Sequence, residues 1–125
     1  MVPMTDGIRR STRGAITLAM LLFLSPPASA GEVHRHLAAF IDNMAGYTAA
    51  LQACEHRIEA RSVQKAMQGR LRSIFGLRGE PLHYQLQRYQ IQVSKYRHSY
   101  GRCPLDRGAR NLNAAANAAE AWMAR

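Results

Sequence analysis

The feature that most constrains this chain is a set of apolar residues at Val33, Leu37, Phe40, Met44, Tyr47, Leu51, Cys54 and Ile58, separated by alternating steps of four and three. That spacing keeps all eight side chains on one stripe of a single long helix, expected over about 33–60. Ala38, Ala39, Ala45, Gly46, Ala53 and Ala60 lie beside the stripe, small enough to let another helix come close. Arg35, Asp42, His56 and Arg57 fall on the opposite side, which is expected to face water.

A second helix is expected over about 62–75, with Val63, Met67, Leu71 and Ile74 inward and Lys65, Arg70 and Arg72 outward. Gly76 and Gly79 bracket its end, because glycine takes the left-handed conformation that closes helices. The break between the first two helices is placed near Ser62, since one unbroken helix to Phe75 would be very long for so small a domain. Glu80-Pro81 opens a third helix, about 82–100, with proline in the first turn, where its missing N–H costs nothing. Leu82, Leu86, Tyr89, Val93, Tyr96 and Tyr100 repeat the four-three alternation there. After the Cys103-Pro104 corner, an alanine-rich helix over about 106–124 carries Leu105, Leu112, Ala115, Ala116, Ala119, Trp122 and Met123 on its apolar side.

Strands would need period-two alternation in β-branched and aromatic runs, which this order does not offer. The expected class is therefore all-α, a small bundle of three to four helices. If the first helix goes up, the second returns and the third runs parallel to the first. The end of the third helix then meets the end of the first, which sets Cys103 beside Cys54.

Residues 1–30 read as a secretory leader. Arg9, Arg10 and Arg13 precede an apolar run from Ala15 to Leu24, and Ala28-Ser29-Ala30 supplies the small-residue cleavage site. The apolar run is about ten residues, against the roughly twenty that a membrane-crossing helix needs, so no span is expected after cleavage. The exported form is then a single domain, 31–125, periplasmic or secreted. In an oxidising compartment its two cysteines are expected to form one structural disulfide, Cys54–Cys103. Neither Cys-x-x-Cys nor Cys-x-x-Cys-His is present to support a redox or haem role.

The chain carries a formal charge of +9, and the domain after the leader +7. Outside the cytoplasm such a charge favours anionic envelope components: lipid head groups, lipopolysaccharide or wall polymers. Arg61, Lys65 and Arg72 lie close to one face of the second helix, and Arg88, Lys95 and Arg102 recur every seven residues along the third. Both are candidate anion-binding ridges, and neither carries a nucleic-acid-binding motif, so no nucleic-acid partner is expected.

Catalysis needs convergent groups, and none is assigned. Glu55, His56 and Glu59 cluster in sequence, but Arg57, Arg61 and Lys65 are the expected partners of those acids on the surface. His34 and His36 point about 200° apart on a helix. No metal or cofactor is expected. On the third helix Tyr84, Ile91 and His98 recur every seven residues opposite the core stripe. Either the alanine-rich fourth helix covers this track, which is the favoured expectation, or it is offered to a partner as a helix-face contact. The functional expectation is a non-enzymatic exported protein acting by protein contact, as an accessory subunit, inhibitor or chaperone-like factor. Binding to an anionic surface is the alternative, and a small all-α enzyme ranks third.

Overall fold

A computed structural model describes the backbone of residues 27–125 and the side chains of residues 35–125. Residues 1–26 of the expected leader, and the side chains of residues 27–34, lie outside the described residues. One compact unit runs Val33–Arg125. The helices are α1 (Pro27–Ala53), α2 (Arg57–Phe75), α3 (Gly79–Ser99) and α4 (Leu105–Met123), and the described residues contain no strand. The expected all-α bundle is thus observed, with the disulfide joining Cys54 to Cys103 at a Cα separation of 4.4 Å.

The first interhelical break falls at Cys54-Glu55-His56 and not near Ser62. The N–H of Glu55 bonds to Gln52 O at 3.0 Å and that of His56 to Leu51 O at 2.8 Å, the paired closure of a Schellman motif. Its left-handed position is held by Glu55, at φ 63°. A residue with a Cβ is disfavoured there by about 1–2 kcal/mol, so the stop carries no glycine to announce it. Ile58 consequently leaves the stripe of α1 and stands on α2, 80% exposed. The end of α2 is closed by glycine: Gly76, at φ 69°, returns its N–H to Arg72 O at 3.0 Å. Helix α3 begins three residues earlier than expected, with Pro81 in its first turn.

Helix α1 is the centre of the bundle. Leu37, Phe40, Met44 and Leu51 are buried as the stripe requires, but so are Ile41, Ala45, Thr48, Ala49 and Ala50. Of the residues expected to face water, Arg35, His56 and Arg57 are exposed and Asp42 is half-buried. Helix α2 contributes Ala60, Met67, Leu71 and Phe75, and α3 contributes Leu82, Gln85, Tyr89 and Val93. Tyr89 is fully buried with its hydroxyl hydrogen-bonded to Thr48 Oγ1 at 2.6 Å, and Thr48 Oγ1 also donates to Met44 O at 2.8 Å.

Helix α4 packs through Ala115, Ala119 and Trp122 as expected, but its other large apolar residues stay outside. Gly108, Ala115, Ala118 and Ala119 are buried, with Trp122 half-buried. Leu105, Leu112 and Met123 are exposed, and Ala116 with them. The reason is proximity to α1. A Cβ on Gly108 would sit 2.7 Å from the Cβ of Ala50, and one on Gly46 would collide with the Asn111 side chain. Leucine cannot occupy such a crossing, so the small-residue face is the one that packs and its dispersion contacts come from backbone proximity.

Candidate functional site

Two surfaces of the bundle bring chemistry together. The first is the outer face of α3. Tyr84 and Ile91 are 64% and 57% exposed, so α4 does not cover them, and the expectation of intramolecular burial is corrected. The physical cause is the crossing just described: α4 is drawn against α1 by Gly46, Ala50, Gly108 and Asn111. Tyr84 and Ile91 flank a shallow cavity of about 280 Å³ shared with Gln87, Arg88, Gln92 and Lys95. His98 does not line it. Its Nδ1 lies 3.2 Å from Ser94 O, a contact within its own helix.

Arg88 is partly engaged from behind. Its guanidinium is 3.6 Å from Asp42 Oδ1 on α1, an ion-pair distance beyond hydrogen-bond range, and that carboxylate oxygen is buried without a hydrogen bond. Both side chains are about a third exposed, so the pair contributes about 0–1 kcal/mol. Burial raises the pKa of the half-buried Tyr96 phenol, with the Asp42 charge and Tyr100 adding to the effect. Around the α3 cavity, then, Arg88 is oriented by α1 while Lys95 is exposed and has no carboxylate partner among the described residues.

The second surface lies at the disulfide end. A cavity of about 310 Å³ is lined by Gln52 of α1, Arg57, Ala60, Arg61 and Gln64 of α2, and Arg97 of α3. Of the residues expected to form anion-binding ridges, only Arg61 enters it. Lys65, Arg72 and Arg102 are exposed but line neither cavity. Helical periodicity does not single out Arg57 or Arg97. The signal that brings them together is the pair of cysteines, because Arg57 follows Cys54 by three residues and Arg97 precedes Cys103 by six.

The surface pairing expected between Glu55 or Glu59 and the neighbouring cations is not formed. Glu59 Oε1 instead meets His56 Nδ1 at 3.2 Å, and Glu55 stands in the turn. Among the described residues no three His, Cys, Asp or Glu side chains are grouped to hold a metal ion. Nor is any helix among them long and apolar enough to cross a membrane. No protein-family model, no curated protein and no solved structure matches this chain.

Proposed function

We propose that the protein is an exported helical binding module that docks an acidic segment of a partner protein on the outer face of α3. The observation that carries this reading is the pair Tyr84 and Ile91, both more than half exposed, beside a cavity that also presents Arg88 and Lys95. Aromatic and apolar anchors with cationic neighbours suit an amphipathic helix bearing Asp or Glu at its rim. The Cys54–Cys103 disulfide supports the exported part of the reading, since such bonds persist in oxidising compartments.

The test is Ile91→Glu. Substitution at an exposed position should shift stability by less than about 0.5 kcal/mol, while a photocrosslinker at Tyr84 should lose its adduct to an acidic protein segment. A large fall in melting temperature, or an adduct that persists unchanged, would overturn the docking face. Attachment of both wild type and variant to anionic vesicles, abolished by salt, would instead favour the reading in which the basic surface binds an envelope component.

A further inference from the structure

We propose that Arg57, Arg61 and Arg97 form a binding site for a phosphomonoester dianion, separate from the α3 docking face. Three arginines from two helices line one cavity of about 310 Å³, and none of its six lining residues is acidic. None of the three arginines makes an ion pair among the described residues, and the nearby carboxylate of Glu59 is directed at His56. The lining amides of Gln52 and Gln64 add neutral hydrogen-bond donors, and buried Ala60 supplies an apolar patch.

The three arginines are exposed, so solvent screens their mutual repulsion in the absence of a ligand. Arg57 and Arg61 are four residues apart on α2, the spacing at which like charges repel along a helix. They also stand in its first two turns, near the helix end where the macrodipole disfavours cations. The fold then adds Arg97 from the last turn of α3 to the same cavity. A tetrahedral oxyanion relieves all three terms together. It accepts paired N–H bonds from planar guanidinium forks and neutralises the cluster. The cavity is larger than a single tetrahedral oxyanion needs, which leaves room for the organic substituent of a monoester.

The same dianion could arrive on a soluble molecule or on a lipid head group, and two arms of one experiment separate these sources. In the first, isothermal titration of the oxidised protein at constant ionic strength uses glycerol 3-phosphate, with sulfate as a charge-matched comparison. Saturable one-to-one binding is expected, weakened about tenfold in Arg97→Gln by loss of a charge-assisted contact. Arg61→Lys, which keeps the charge but removes the fork, should also weaken it. Lys65→Gln, an equal change in charge outside the cavity, should alter it less than about twofold. Absence of saturable binding overturns the site, as does equal weakening by Lys65→Gln and Arg97→Gln. In the second arm, vesicles of phosphatidylcholine containing phosphatidic acid are sedimented with the protein. Binding displaced by glycerol 3-phosphate and lost in Arg97→Gln supports the site with a lipid source, and soluble binding without sedimentation supports it with a soluble one. Sedimentation that survives both the competitor and the substitution overturns it. Melting curves of each variant confirm that the bundle remains folded.

Discussion

At one end of the bundle Phe75 stands between Phe40 and Trp122, with ring centroids 5.1 and 4.9 Å away in tilted contacts. At the other end Cys54 is bonded to Cys103, and the neighbouring interior combines the close approach of Ala50 and Gly108 with buried Leu51 and Tyr100, whose ring lies 5.7 Å from that of Tyr96. The first end draws its cohesion from three large aromatic side chains contributed by α1, α2 and α4. The second draws its apolar stabilisation from Leu51 and Tyr100 and adds a covalent bond that the first lacks. The contrast also divides the chemistry: the aromatic end is packed, whereas beside the covalent end Arg57, Arg61 and Arg97 line a cavity.

Phe75→Ala tests the packed end and should have the largest effect. Loss of a buried aromatic side chain costs about 3–5 kcal/mol, read as a shift of the urea midpoint. A loss under about 1 kcal/mol would mean that Trp122 collapses into the space and that the aromatic contacts are not what closes this end. Breaking the disulfide tests the other. The bond spans 49 residues in sequence, for which the chain-entropy model gives about 4 kcal/mol as an upper value. Urea denaturation with and without reductant measures it. Phe40 and Cys54 are fourteen residues apart along α1 and its closing turn, or about 21 Å. Phe75→Ala and reduction should therefore add to within about 0.5 kcal/mol. Clear non-additivity would show that the two ends are one cooperative closure.

A smaller effect is expected midway between the ends. Burial pushes the Tyr89 phenol up to about 12, against the hydrogen bond to Thr48 and the charge of Arg70, which act the other way. An exposed tyrosine titrates near 10. The contribution of the neutral buried phenol is therefore intact below about pH 10 and is lost as pH rises towards 12. Tyr89→Phe should cost about 1 kcal/mol at neutral pH and should flatten the alkaline decline relative to wild type. An equally steep decline in the variant would assign it to other groups.

Much of this architecture is legible in the residues, and the failures have identifiable causes. The α3 stripe matches the packing, with Leu82, Tyr89, Val93 and Tyr100 buried and Leu86 and Tyr96 half-buried. The pairing of Cys54 with Cys103 follows from helix order and is observed. The α1–α2 break departs from its expected place because Glu55 adopts a conformation that its side chain disfavours, so composition gives no stop there. For α4, hydrophobicity points to Leu105, Leu112 and Met123, while the packing face is selected by smallness at Gly108 and the alanines. Pattern reading ranks side chains by apolarity and cannot see that two backbones will come close. The arginine cavity lies between these cases: no helical periodicity connects Arg57 to Arg97, but the disulfide does.

The position of that bond has one more consequence. Helix α1 runs into Cys54 and α4 departs just after Cys103, so the ring closed by sulfur contains α2 and α3, while α1 and α4 leave it as two arms. Gly46 and Asn111, which meet across the arms, each lie eight residues from their cysteine. The sulfur bridge thus serves as the tip of an antiparallel helical hairpin whose two limbs are remote in sequence. The alignment of α4 on α1 is measured out from this tip, by arms of equal length.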